Sequence, residues 1–575
     1  MRTKKVISLL LALVMVIAVF TGCNGTDSQK SEVSDTRKET LFVTGMQWNP
    51  AQNFNWFSGW PAWPTDLTTN PMVYETLFMF NTKTNEITPL LGDEYIWEDD
   101  YTLVIKMNPN AKFSDGEALN AEDVLYTLDA ANRTYLNWSG YWENIDSLEM
   151  KDDLTLVVHL NKENYNRMNM TEMLTNLPIL PEHIWSKIEE ENNFDYGEIG
   201  AIFNDNPVGS GPYLVDFHDD TQIRTKRNED YWGKDTFGMP APRYISHLIY
   251  NSNDTSSLDL KNGTLDYSQN FHSRIWEMAD SGVKSYLSDS PYYMAETIPS
   301  FYINVHRAGL ENKEVRRALA YALNYPEITE KAMSGYSKII EPGLAIFEYE
   351  KELLDQSQIE GLTWGFDLDK ANAILDELGA TVGADGIRVL PDGTRLGPWN
   401  VECPAGWTDW NATIEIACQN AKAAGIELVP TFTEWGVYDN NKNTGEFDIT
   451  MYTPAAYSTP VSGWKRAYDL MSSIDLAPIG EQAFWNFGRY ENERVNEIIK
   501  AIGMTDDKAE LTALYTELNV IYLTDIPTIP LYYRPTVFFS YNENVWKNFQ
   551  DENSDLPDML FDGAGFRGLF QLSNQ

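Results

Sequence analysis

WNVECPAGWTDWNATIEIACQNAKAAGIELVP fills residues 399–430. Residues 399–403 read as a strand. Residues 404–410, PAGWTDW, read as a loop. Residues 411–424 are rich in Ala and read as a helix, which Gly425 ends. Residues 426–429 read as a second strand. Strand, helix and strand in that order make a β-α-β unit, which predicts two parallel strands and a right-handed crossover. Open α/β sheets bind ligands just past the carboxyl ends of such strands. PAGWTDW lies at such an end, so Trp407, Asp409 and Trp410 are expected at a binding edge. A third strand is expected at 447–453. The loop after it, PAAYSTPVSGW (454–464), carries Tyr457 and Trp464 toward the same edge.

The rest of the chain alternates in the same way, so the expected fold class is α/β. Residues 101–107 (YTLVIKM) and 154–160 (LTLVVHL) read as strands. Asn120 and Asp123 form a near capping box that opens a helix bearing Val124, Leu125 and Leu128. Asp367 is expected to cap a helix with Ala371, Ile374, Leu375 and Leu378 on one stripe, closed by Gly379. Val315, Ala318, Leu319 and Ala322 make a similar stripe. No short repeat period is present, which argues against a solenoid.

Charge narrows the function classes. The 575 residues include 85 acidic and 43 basic side chains, for a net charge of −42. Nucleic-acid binding needs a basic footprint, so that class is excluded. Docking of the folded body on an anionic membrane is disfavoured for the same reason. At the N-terminus, Arg2, Lys4 and Lys5 precede an overwhelmingly apolar run at 6–20. That run is too short for an ordinary spanning helix and suits a secretion signal. It ends in Phe20-Thr21-Gly22-Cys23, which resembles a bacterial lipobox with Phe20 where Leu is usual. Cleavage before Cys23 and a lipid on its thiol are expected; a plain signal with a chance cysteine is the alternative. Residues 24–38 read as a polar tether. Cys403 and Cys418 are too few for a disulfide framework, and whether they bridge stays open. The six histidines show no metal-ligand spacing, so neither metal nor cofactor is expected.

Several segments, in order, then resemble one family. They are Val73-Tyr-Glu-Thr-Leu77, Asn110-Ala-Lys-Phe-Ser-Asp-Gly116 with Glu122-Asp-Val124, and Leu180-Pro-Glu-His-Ile-Trp185. Pro207-Val-Gly-Ser-Gly-Pro-Tyr213 follows, with Arg227-Asn-Glu-Asp-Tyr-Trp-Gly233, then Asn304 and Val315-Arg-Arg-Ala-Leu-Ala-Tyr-Ala322. Their order and spacing resemble the substrate-binding lipoproteins of ABC importers, the oligopeptide- and dipeptide-binding group (extracellular solute-binding proteins, family 5).

The resemblance implies a two-lobed, periplasmic-binding-protein-like clamp of type II, in its large form with an inserted subdomain. The signal peptide would be 1–22 and the lipidated tether 23–38. The first lobe would be 39–70, 204–300 and 536–575; the insert 71–203; the second lobe 301–535. The resemblance further implies no enzymatic activity, a monomer that closes on its ligand by hinge motion, and ABC permease subunits as partners. The chain would sit on the outer face of the cell membrane of a Gram-positive-type bacterium, anchored through Cys23, or in the periplasm of a Gram-negative one.

The family's peptide binders place an acidic residue in the loop that here reads PAAYSTPVSGW, where it pairs with the peptide ammonium. This loop has none, although Asp469 follows soon after. Two stretches instead resemble the carbohydrate-binding branch, importers of cello-oligosaccharides and other β-glycans: residues 45–55 (GMQWNPAQNFN) and PAGWTDW. The chemistry agrees. A pyranose has apolar C–H faces that indole rings stack on at low entropy cost, and a polar rim that amides and carboxylates hydrogen-bond. MQWNPAQNFNWFSGWPAWP (46–64) has this mixture. Trp48, Asn49, Asn53, Asn55, Trp56 and Trp60 are therefore expected on one wall of a cleft, and Trp407, Asp409, Trp410, Tyr457 and Trp464 on the facing wall. Asp409 has a second reading as a helix N-cap. An oligosaccharide, β-linked, is the expected ligand; a peptide is the alternative. No Gly-x-Ser-x-Gly elbow, His-Glu-x-x-His or P-loop supports a hydrolase.

Overall fold

The computed structural model describes residues 35–59, 61–66, 71–454, 459–558 and 560–574. The β-α-β unit is present. Strand Trp399–Pro404, helix Thr408–Ala423 and strand Leu428–Thr433 follow one another, with the strands parallel in the register Val401↔Pro430. The largest departures from the sequence reading are an earlier helix start and a second strand shifted to later residues. The helix starts at Thr408, because Asn411 N–H already reaches the Trp407 carbonyl at 2.8 Å. The Asn411 side chain meanwhile ties the preceding turn, donating to the Pro404 carbonyl and accepting from Gly406 N–H. Gly406 has φ +85°, and a Cβ there would stand 3.2 Å from the Asn251 carbonyl of the opposite lobe. The second strand runs on to Thr433, past Pro430, because its Pro430 lies on the sheet edge, where a missing N–H goes unnoticed.

Strand Ile449–Tyr452 lies on the other side of Trp399–Pro404 and is also parallel to it. Strand Ser300–Ile303 and strand Thr528–Pro530 complete a five-stranded sheet, antiparallel to what precedes them, with Ser300 opposite both Tyr452 and Pro530. So the chain enters and leaves this sheet at the edge where its three parallel strands end.

A second, seven-stranded sheet is centred on strand Thr40–Thr44, which is parallel to Tyr244–Leu248 on one side and to Tyr267–Ser268 on the other. Its three parallel strands end at Thr44, Leu248 and Ser268. The two sheets form the two lobes of the clamp, which is the mixed α/β class expected. Residues 296–300 and 530–536 cross between lobes side by side, with Thr297 and Arg534 exchanging backbone hydrogen bonds of 2.9 and 3.0 Å.

A smaller antiparallel sheet, Gly92–Asp99, Thr102–Met107, Thr155–Leu160 and Ile145–Asp152, shares one hydrophobic core with the seven-stranded sheet. Helix Ala121–Arg133 packs on it and opens with the expected capping box at Asn120 and Asp123. Asp367 caps Leu368–Glu377, and Gly379 follows at φ +74°. Val315, Ala318, Leu319 and Ala322 are buried on Lys313–Ala322. Cys403 and Cys418 are buried free thiols and do not bridge. Among the described residues no helix is long and apolar enough to cross a membrane. Residues 1–34, with Cys23, lie outside the described residues, as do Trp60 and Tyr457.

Candidate functional site

The strand ends of the two lobes face each other across a cavity of about 190 Å³. The first lobe contributes Gly45 and Trp48 after Thr40–Thr44, Asn253 beyond Tyr244–Leu248, and Gln269 and Asn270 after Tyr267–Ser268. The second lobe contributes Trp407, Asp409 and Trp410 after Trp399–Pro404, and Tyr452 at the end of Ile449–Tyr452. Arg534 and Thr536 reach in from the crossover. Apart from the crossover residues, the wall follows the rule that open α/β sheets bind at their carboxyl edges.

Trp407 is the hub of an aromatic wall. Its ring centroid lies 6.2 Å from Trp48, 4.9 Å from Trp410 and 5.5 Å from Trp435. Trp410 in turn meets Tyr452 edge-on at 6.3 Å. Trp407 is half-buried, so part of its face is open to a ligand.

The polar rim is unsaturated. Trp410 Nε1, Asn270 Oδ1, Thr297 Oγ1 and Thr536 Oγ1 are buried without a protein partner, and all four residues line the cavity. Buried polar atoms are paired in folded proteins, so these donors and acceptors call for an occupant's hydroxyls or water. Burial, then the charges of Asp439 and Asp469, pushes the Tyr452 phenol up to about 12, so it stays a neutral hydroxyl. The two charged residues on the wall neutralise each other. Arg534 Nε donates to Asp409 Oδ2 at 3.2 Å, its Nη1 donates to the Pro535 and Thr536 carbonyls, and its guanidinium lies over the Phe538 ring. Asp409 therefore sits in the first turn of its helix as an ion-pair partner; the N-cap position belongs to Trp407, whose side chain makes no capping bond.

Two buried histidines hold the first wall in place. His247 Nε2 accepts from Met46 N–H (3.0 Å) and Gln47 N–H (3.1 Å), just before Trp48. That requires an unprotonated Nε2, and burial lowers the pKa of His247 to about 3. His272 bridges Ser257 Oγ and Ser268 Oγ next to Gln269 and Asn270; burial lowers its pKa to about 3 as well. Asn253 Nδ2 donates to Thr408 Oγ1 at 3.2 Å, a direct bond between lobes. The two strand-end walls therefore touch directly.

Of the residues expected in the cleft, the structure brings together Trp48, Trp407, Asp409 and Trp410. It places others elsewhere. Asn55 is fully buried: its amide donates to the Ile199 and Ile202 carbonyls, and its oxygen accepts from Phe57 N–H. Asn53 accepts from Asn55 N–H and Ser58 Oγ, closing a turn. Trp56 is core, packed edge-on against Tyr74 and Trp138. Asn49 is exposed and does not line the cavity. Trp464 is buried, donates to the Ile499 carbonyl, and lines a different cavity. Asn53, Asn55 and Trp56 fail as wall residues because the segment folds back on itself, with Ala62 N–H donating to the Asn53 carbonyl at 2.8 Å. Sequence reasoning missed Asn253, Gln269, Asn270, Tyr452, Arg534 and Trp435. Trp435 was legible: it follows the strand whose end is Thr433, not Val429. Gln269 and Asn270 follow a strand of two residues, too short to leave a period. Among the described residues no group of three or more His, Cys, Asp or Glu could hold a metal ion.

Two α/β lobes with facing carboxyl edges and a cavity between them define a ligand-capturing clamp. The chain belongs to the bacterial extracellular solute-binding proteins, family 5, whose middle segment matches residues 86–468. It is similar to the probable peptide-binding protein YejA of Agrobacterium fabrum, 22% identical over 86% of this chain and 85% of that one. It is similar to the glutathione-binding protein GsiB of Escherichia coli, 25% identical over 80% of this chain and 82% of that one. Among solved structures, it resembles a mannohexaose-bound periplasmic oligopeptide-binding protein from Thermotoga maritima. That match has TM-score 0.84 at 27% identity, over 94% of this chain and 99% of the other. The protein is thus a substrate-binding component of an ABC importer that takes a small-molecule ligand, and it is not an enzyme.

Proposed function

We propose that the protein captures a neutral oligosaccharide, most simply a β-linked glycan fragment, between its lobes and delivers it to a membrane permease. The observation that carries this is the cavity wall around Trp407. It combines closely packed indoles with unpartnered amide, hydroxyl and indole N–H groups, and its two charged residues, Asp409 and Arg534, are spent on each other. A peptide ammonium needs an unpaired carboxylate, and the loop 455–458 supplies none in its sequence, Ala-Ala-Tyr-Ser. The mannohexaose held by the Thermotoga maritima protein supports the reading. The peptide reading is kept because the similar curated proteins are named for peptides and glutathione.

In this reading the lobes are 39–70, 204–300 and 536–575 against 301–535, with 71–203 as the insert. The mature chain is a monomer anchored outside the cell by lipid on Cys23, which mass spectrometry of the membrane-extracted protein checks. The deciding experiment is intrinsic tryptophan fluorescence of the protein lacking residues 1–23. Cello-, xylo-, manno- and laminari-oligosaccharides are titrated beside di- to pentapeptides. Saturable change with one glycan series, lost in Trp407→Ala, supports the proposal. A response to peptides alone refutes it.

A further inference from the structure

The cavity around Trp407 encloses about 190 Å³, below the roughly 300–1,000 Å³ of sites that hold drug-sized ligands. A chain of sugar rings has to extend beyond it. A second cavity, of about 360 Å³, lies between the four-stranded insert and the second lobe. Trp138 and Tyr141 face it from the insert. Trp464, Tyr468 and Trp485 face it from the other side, with Tyr468 5.6 Å from each indole, so the rings form a continuous row. Asn144 and Asn169, joined amide to amide at 2.7 Å, give it a fixed polar rim. Trp485 Nε1 is buried there without a protein partner.

Two chain segments run from one cavity to the other. Trp48 lines the first; a few residues on, Trp56 packs 5.7 Å from Trp138, and the Gly59 carbonyl accepts from Asn137 Nδ2, both residues of the second. Likewise Tyr452 lines the first, and helix Ser462–Met471 then carries Trp464, Lys465, Tyr468 and Asp469 into the second. Both cavities therefore open against the second lobe and are linked by these two segments.

We infer that the second cavity is a distal binding site that takes the outer rings of an oligosaccharide whose first rings stack on Trp407. The inference rests on the glycan reading above and adds the ligand's length and charge. The receptor selects chains over mono- and disaccharides. Glu143, Glu172, Asp469 and Asp475 outnumber Lys465 and Lys500 on the wall, so a uronate chain is opposed and a neutral one accepted.

The test is isothermal titration of the mature protein with manno- and cello-oligosaccharides of two to six units. Trp485→Ala and the milder Asn169→Ala are measured beside it, with circular dichroism confirming their fold. Wild type is expected to bind the hexamer at least about tenfold tighter than the dimer. Both variants shrink that gain to within about threefold and leave dimer affinity unchanged. Affinity independent of length in wild type, or a full length gain in both variants, overturns the distal site and leaves the glycan receptor standing. Binding of peptides with no response to any glycan overturns the receptor reading itself, and the distal site with it.

Discussion

Residues 46–64 and 404–410 look alike on paper: both set tryptophans among Pro, Gly, Ala and small polar residues. The folded chain treats them differently. In 404–410, Trp407 stands between a parallel strand and the helix it feeds, Trp410 sits in that helix's first turn, and both reach the cavity. Among the described tryptophans of 46–64 only Trp48, just past the end of Thr40–Thr44, does so. Trp56 and Trp63 are core, against Tyr74 and Trp138 in one case and His247 and Phe561 in the other. Their Nε1 atoms are buried without partners, as that of Trp410 is. An unpartnered indole N–H therefore marks a ligand wall only where the residue also borders a cavity. Aromatic composition draws attention to a stretch; position relative to a strand end decides which ring meets ligand.

That contrast can be broken at four points. The largest effect belongs to Trp56→Ala, which empties a fully packed core position and should cost about 3–5 kcal/mol of stability. Urea unfolding reads the loss, while glycan affinity of the folded fraction stays unchanged. A fall in affinity with stability intact would return Trp56 to the ligand wall. Next, Asp409→Asn leaves the Arg534 guanidinium unpaired in a buried site and should cost about 2–4 kcal/mol. If thermal unfolding shows no loss but peptide binding disappears, Asp409 is an ammonium partner and the peptide reading prevails.

Trp407→Ala should behave in the opposite way to Trp56→Ala. Its half-buried ring contributes little to the core, so the melting temperature moves slightly, while glycan affinity drops roughly tenfold to a hundredfold. A thermal unfolding scan reads the first and calorimetric titration the second. The smallest effect is on pH dependence. The pKa of His247 in the folded protein, about 3, lies below its unfolded value near 6.5. Its contribution is complete above about pH 6.5 and is lost as pH falls toward 3, because the unfolded chain takes up the proton first. His247→Gln removes that titration. Wild type should therefore lose about 1 kcal/mol more than the variant between about pH 7 and about pH 5.5, read from urea midpoints at each pH.

Much of the fold was legible because its signals are local. Asn120 and Asp123 announce their capping box, Asp367 its helix, and the 399–430 segment its parallel pair, since capping and period depend on residues within a few positions of each other. The site was legible in part. Trp407, Asp409 and Trp410 follow a long strand with a clear helix after it. Gln269 and Asn270 follow Tyr267–Ser268, whose two residues become a strand only because Thr40–Thr44 and Ser540–Asn542 flank them.

What the sequence alone determined is the class: an acidic, β-α-β-bearing chain with the ordered motifs of an extracellular solute-binding protein and an aromatic loop at a strand end. What tertiary structure decided is which polar and aromatic groups converge. Asn270, Thr297, Trp410 and Thr536 come from four distant segments, and Arg534 meets Asp409 across 125 positions. No local pattern encodes such a meeting, because it arises only when the two sheets pack with their parallel strand ends face to face.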